Sequence, residues 1–209
     1  MNEHSNPSNL SRKERDKIRN KEAIMDAAVH LFARNGFNET KLEEVATLAE
    51  FGKGTIYNYF ENKNDLLLST FNYALTKVSN YLEEQLSNVE DPLERLRLIV
   101  NSQFEYYRSN EDFLRVVVAN QQLIGEAIHG GSGKDLHQRF MYLKKLMVKE
   151  IQAAIDSGQL KSGNATRYAS YISGMIHGQV RSLNHREIII DDVDSNEIVD
   201  IFLTGASHV

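Results

Sequence analysis

The chain has 209 residues, 41% hydrophobic and 25% charged, the balance of an ordinary globular protein. It has no cysteine, which excludes a disulfide framework, a thiolate zinc site and thiol redox sensing. Its formal net charge of −5 runs against nucleic acid as a partner for the chain as a whole, so any nucleic-acid surface must come from local clustering. With only two prolines, Pro7 and Pro92, long helices are open to it. No apolar run approaches the roughly 20 residues of a membrane span. Met1 to Leu10 is polar, so no signal peptide is expected and a cytoplasmic location is.

Residues 1–16 are expected to be a disordered extension, Asn/Ser-rich as far as Ser11. Arg12, Lys13, Arg15, Lys17, Arg19 and Lys21 then cluster, offset by Glu14, Asp16 and Glu22. Such a stretch can contact phosphates, and it equally suits a solvated helix face. From Lys17 the spacing of Ile24, Ala27, Ala28 and Leu31 predicts a helix, which Asn35-Gly36 ends. Thr40 with Glu43 predicts an N-cap and capping box for a second helix carrying Leu42, Val45, Ala46 and Ala49. Glu50-Phe51-Gly52 is a tight connection to a third helix over Lys53–Phe60. Three short helices with tight turns predict a helix-turn-helix module.

Longer helices are expected over Leu66–Leu86, from Asp91-Pro92 to Arg108, and over Glu111–Ile128, Lys134–Asp156, Ala165–Leu183 and Ser195–Leu203. Gly130-Gly131-Ser132-Gly133 is expected to be a flexible loop.

On the third helix Ile56 and Phe60 are expected inward, with Thr55 and Asn58 on the opposite side and Tyr57 on a flank. Asn58 can bond base edges. Thr55, Tyr57 and Tyr59 can donate to phosphates or touch a thymine methyl, and Gly54 allows close backbone approach. Thr40 and Lys63, each beside a helix start, are candidate phosphate contacts. A small helical domain with Tyr57, Tyr59 and Phe60 as plain core aromatics has the same composition.

The string Ala27-Ala28-x-x-Leu31-Phe32-x-x-x-Gly36-Phe37-x-x-Thr40, then Val45-Ala46, then Lys53-Gly54-Thr55-Ile56-Tyr57-x-Tyr59-Phe60-x-x-Lys63-x-x-Leu66, resembles the TetR/AcrR family of transcriptional regulators. The resemblance covers roughly Ile18 to Leu67. It implies an all-α chain: a helix-turn-helix DNA-binding domain over 17–62, then a helical effector-binding and dimerisation domain over 63–209. It implies phosphate contacts for Thr40, Lys53, Tyr57 and Lys63, and base or groove contacts for Gly54, Thr55 and Asn58. Two positions depart from the family. Glu50 stands where Gly is usual, a strained choice if the turn needs positive φ, and Gly52 stands where Ser is frequent.

The resemblance further implies a homodimer on a palindromic DNA operator, built by the last two helices. Candidate interface residues are Tyr168, Tyr171, Ile172, Met175, Ile176, Ile198, Ile201 and Phe202. Gly174 and Gly178, four apart, would allow close helix contact. A small, lipophilic or aromatic effector is implied between the two ends, with repression as the expected outcome. Its candidate lining is Tyr73, Phe104, Tyr107, Arg108, Asn120, Gln121, Tyr142 and His177. No cofactor, metal or enzymatic activity is expected. Gly133-Lys134 lacks the glycine and Ser/Thr of a phosphate loop, Asp192, Asp194 and Asn196 lack the glycine and glutamate of a calcium loop, and His129 and His137 are eight apart. The competing reading is a helical small-molecule-binding or sequestering protein with a weakened DNA-reading module.

Overall fold

The computed structural model describes residues 11–130, 133–183, 190 and 193–206. Among the described residues there are ten α-helices and no strand: α1 (Arg12–Asn35), α2 (Leu42–Leu48), α3 (Lys53–Ile56), α4 (Lys63–Leu86), α5 (Pro92–Ser109), α6 (Glu111–Ala119), α7 (Gln121–Gly130), α8 (Lys134–Asp156), α9 (Ala165–Ser182) and α10 (Ser195–Ala206). None of the described helices is long and apolar enough to cross a membrane.

Helix α1 starts at Arg12 rather than Lys17, so residues 12–16 are helical and not disordered. The cause is a capping box. The Ser11 hydroxyl accepts the Glu14 N–H at 3.3 Å, and the Glu14 carboxylate accepts the Ser11 N–H at 2.8 Å. The remainder of the expected extension, 1–10, lies outside the described residues, as do Gly131 and Ser132 of the expected flexible loop. Gly36 ends α1 at φ +85°, where a side chain would be strained.

Thr40 is not the cap of α2. Its side chain is buried, and its hydroxyl lies 2.8 Å from the Gly36 carbonyl and 3.2 Å from that of Leu31. The helix is capped one residue later, where the Glu44 carboxylate accepts the Lys41 N–H at 2.9 Å. The expected helix over Glu111–Ile128 is two helices. Asn120 separates them because its side-chain amide donates to the Val116 carbonyl at 2.8 Å, competing with the backbone for that acceptor.

The chain divides into two compact units, 1–70 and 71–209, so the boundary falls inside α4 instead of before Lys63. The first turns of α4 belong to the first unit because Lys63 is bonded to the α1–α2 connection and Leu66, Leu67 and Thr70 are buried. The core of the first unit holds Ile24, Ala28, Phe32, Val45, Ala46, Ile56 and Phe60.

In the second unit α8 packs on α5, α7 and α9, and α10 packs on α5 and α9. Asp91 opens α5 as expected: its carboxylate accepts the N–H groups of Leu93 and Glu94, each at 2.9 Å. Those bonds, Glu94's first and then one from Gln159, hold its carboxyl below the usual range. Buried Glu150 of α8 meets Arg95 of α5 at 3.2 Å, a pairing a buried carboxylate requires. Ile172, Ile176, Ile198 and Phe202 are buried within the chain and are not interface residues of the surface. The apolar stripes of α9 and α10 face inward because each helix packs against its neighbours, α8 for α9, α5 for α10 and each other. Tyr171 and Ile201 remain outside, 54% and 59% exposed.

Candidate nucleic-acid interface and ligand cavity

The turn between α2 and α3 places Glu50 at φ +61°, the strained conformation its position implied. The chain turns there through the Phe51 N–H, which donates to the Ala46 carbonyl at 2.9 Å. Gly52 caps α3 with extended backbone and no side-chain bond. The helix proper is only Lys53–Ile56, shorter than the expected span to Phe60. Hydrogen-bonded turns carry the chain onward, with the N–H groups of Tyr59 and Phe60 both donating to the Ile56 carbonyl, at 2.9 and 3.0 Å.

Ile56 and Phe60 are buried, so α3 docks by the face the sequence implies. Lys53, Gly54, Tyr57 and Asn58 are exposed together, with Tyr57 at 52%, and Thr55 is half-buried beside them. A Cβ added at Gly54 would meet nothing within 4 Å, so the backbone there is open to close approach. Tyr59 is half-buried, and its hydroxyl accepts from the Asn20 amide at 3.4 Å. This is a polar and aromatic surface of the size a DNA groove admits.

The basic residues of this unit fall into three different settings. The Lys53 ammonium pairs with the Glu43 carboxylate of α2, and that bond holds the Glu43 carboxyl below its usual range. The ammonium keeps two further N–H groups for a phosphate, with Glu43 offsetting part of its charge. Lys63 donates to the carbonyls of Phe37, Asn38 and Thr40 at 2.7, 2.8 and 3.0 Å. An ammonium has three N–H groups, so none is left for a phosphate. Lys63 is a clamp on the α1–α2 connection, and buried Thr40 is a member of that same connection. On α1, Lys13 and Lys17 are exposed, and among the described residues no carboxylate pairs with either.

The second unit contains a cavity of about 500 Å³ lined from α4 to α9. Its body is apolar and aromatic, with Phe71, Leu75, Tyr106, Phe113, Val117 and Phe140. Its polar lining includes Gln103, Gln121, His129, His177 and Arg181, and among the described residues no carboxylate. Tyr107 is half-buried, and burial pushes its phenol up to about 12.

Of the expected lining, Tyr107, Gln121 and His177 are in place. The other five are committed elsewhere. Lys77 sits over the Tyr73 ring at 4.9 Å. Phe104 is fully buried, edge-on to Tyr107. Arg108 pairs with Glu105 at 2.6 Å and donates to the Val193 carbonyl at 2.5 Å. Asn120 bonds backbone, and the Tyr142 hydroxyl donates to Glu83 at 2.7 Å. The lining residues missed include Phe71, Tyr106, Phe113, Phe140, His129 and Arg181. Helical periodicity cannot separate a residue facing a cavity from one facing a filled core.

An exposed reading surface on a short docked helix, together with a separate ligand-sized cavity, defines a helix-turn-helix regulator. Residues 24–70 match the family described as bacterial regulatory proteins, tetR family. The chain is 27% identical to the fatty acid metabolism regulator protein of Bacillus subtilis over 188 residues, covering 87% of this chain and 93% of that one. Among solved structures, FadR from Bacillus subtilis in complex with stearoyl-CoA aligns with a TM-score of 0.75 at 23% identity, over 88% of this chain and 98% of that one. A regulator from Saccharomonospora viridis in complex with choline also aligns with a TM-score of 0.75, at 18% identity over 92% of this chain and all (100%) of that one. Residues 24–70 are thus a tetR-family DNA-binding domain, and the chain is a DNA-binding transcriptional regulator.

Proposed function

We propose that this regulator is a homodimeric repressor that holds a palindromic operator through α3 and releases it when a small lipophilic or aromatic molecule fills the cavity of the second unit. The observation that carries this reading is the roughly 500 Å³ cavity with its aromatic body, within the range of small-molecule sites. A Bacillus subtilis relative named for fatty acid metabolism, and the Bacillus subtilis FadR structure in complex with stearoyl-CoA, support a lipophilic effector. Helix α4 belongs to both units, with Lys63 at one end and the lining residues Phe71, Ala74, Leu75 and Val78 further along. A ligand that prefers one arrangement of α4 therefore changes DNA affinity by its differential affinity for the two arrangements.

Among the DNA contacts, Tyr57 and Lys53 would position the protein on phosphates, while Asn58, Thr55 and Gly54 would face the groove. Exposed Tyr171 and Ile201, with Gly174 and Gly178 open beside Tyr171, support pairing through α9 and α10. A DNA-bound regulator works where the DNA is, in a bacterial cell the cytoplasm.

The test is selection of genomic fragments by the purified protein, then titration of the best fragment at two salt concentrations. A palindrome bound by a dimer, with affinity falling steeply as salt rises, is the expected result. No enriched fragment at low salt would favour a sequestering protein, a reading supported by the Glu43 and Glu50 carboxylates close to α3.

A further inference from the structure

The cavity is unevenly charged. His129, His177 and Arg181 all line it and are exposed, so they mark its mouth, whereas Phe71 and Phe113 are buried at its aromatic body. The three basic groups are close enough to act on each other: burial, and after it the charges of His129 and Arg181, push the His177 imidazole below its ordinary value. His177 also stacks on Phe140, with ring centres 6.2 Å apart. Among the described residues no carboxylate pairs with Arg181, whose Nε lies 3.5 Å from the Gln121 side-chain oxygen. Arg181, a positive charge with no carboxylate partner among the described residues, at the mouth of an apolar cavity, is complementary to one kind of molecule.

We propose that the ligand is an amphipathic anion, with an apolar chain or ring against Phe71 and Phe113 and a carboxylate or phosphate held at the mouth by Arg181 and His177. This rests on the effector reading of the cavity given above. Arg181 supplies paired N–H donors suited to either oxyanion. A quaternary ammonium such as choline would meet Arg181 and two histidines there and, among the described residues, no carboxylate.

The experiment is calorimetric titration of the full-length protein with decanoate, decanol, decyltrimethylammonium and decanoyl-CoA. Three proteins are compared: wild type, Arg181→Ala, and Ala74→Phe, which places a ring in the apolar body. Thermal unfolding checks that each variant is folded. Decanoate is expected to bind more tightly than decanol and to lose about 10–100-fold in Arg181→Ala, with decanol unaffected, the range a charge-assisted hydrogen bond supplies. Arg181→Lys should restore part of that loss. Decanoyl-CoA binding that depends on Arg181 while decanoate does not bind would assign the anion to a phosphate. Equal binding of decanol and decanoate, an Arg181→Ala protein with unchanged affinity for every anion, or preference for the ammonium would overturn the inference and leave the cavity reading standing. Binding by folded Ala74→Phe as tight as wild type, or no binding of any probe, would overturn the cavity reading and the inference with it.

Discussion

The Lys63 ammonium stands 4.7 Å from the centre of the Phe37 ring and donates to the carbonyl of the same residue at 2.7 Å. With its bonds to Asn38 and Thr40, it ties the start of α4 to the connection between α1 and α2. Lys63→Met keeps the stem and removes the charge and all three bonds. It should destabilise the protein by about 2 kcal/mol in urea unfolding, the scale of a charged hydrogen bond left unmade. The salt dependence of DNA binding should stay as in wild type. A phosphate-contacting lysine would give the opposite pattern: unchanged stability and a salt slope reduced by about one.

Glu50, at φ +61°, is among the described residues the only non-glycine with positive φ. Glu50→Gly removes the steric strain of that conformation while adding chain entropy to the unfolded state. The balance should be stabilising by about 0.5–1 kcal/mol, read as a higher denaturant midpoint at unchanged slope. Loss of the carboxylate should also tighten non-specific DNA binding at low salt. A lowered midpoint would show that the Glu50 side chain holds the turn.

These two residues also show what a sequence conveys and what it hides. The strain at Glu50 is foreshadowed only conditionally, through the glycine usual there in the family the sequence resembles, and φ +61° fulfils that condition. The inward Ile56 and Phe60, the Asp91 cap and the ends of most helices are directly legible, being local properties. The clamp made by Lys63 is hidden in the sequence because its partners lie more than 20 residues back in the chain, at Phe37 to Thr40. The burial of Ile172, Ile176, Ile198 and Phe202 within the chain is hidden for a related reason. Periodicity shows that a face is apolar but not whether the chain itself covers it. The cavity was the least legible, since its mouth combines His129 of α7 with His177 and Arg181 of α9.

Tyr57 and Asn58 are adjacent and both exposed, but their chemistry separates their expected roles. Tyr57→Phe removes one hydroxyl donor, and should weaken binding to operator and non-operator DNA alike. Asn58→Ala removes a side chain that can bond a base edge at two atoms. It should cost about 1–3 kcal/mol on the operator and little elsewhere, so the specificity ratio falls. Competition binding against a site with single base changes checks both. An Asn58→Ala protein with the wild-type sequence preference would remove that residue from base reading.

His177 gives the protein a pH dependence whose sign is fixed by its surroundings. Its folded value lies below the ordinary 6.5, burial being the largest cause and the charges of His129 and Arg181 following. The unfolded chain therefore takes up the proton first, and stability should fall as pH drops from about 6.5 towards the folded value. His177→Gln should flatten that part of the profile in thermal unfolding. An anionic ligand at the mouth favours the imidazolium, so the stabilisation it confers should grow as the pH is lowered through the same window. A neutral ligand should show no such growth.

Tyr171 and Ile172 are neighbours on α9 with opposite surroundings, one 54% exposed and the other fully buried at 0%. Tyr171→Glu places a charge on the surface, where it should change the stability of the subunit by no more than about 0.5 kcal/mol. If α9 and α10 pair two copies, the same charge meets its symmetry mate, and the protein should run as a monomer in light scattering. Ile201→Glu on α10 should do the same. Ile172→Glu buries an unpaired carboxylate in the core and should cost more than about 4 kcal/mol, unfolding the subunit before oligomeric state can be asked. A monomeric Tyr171→Glu protein should also lose operator affinity, because one short α3 contacts few bases and two copies are needed to span a palindrome. A dimer that survives both surface substitutions would move the interface to another face of the second unit.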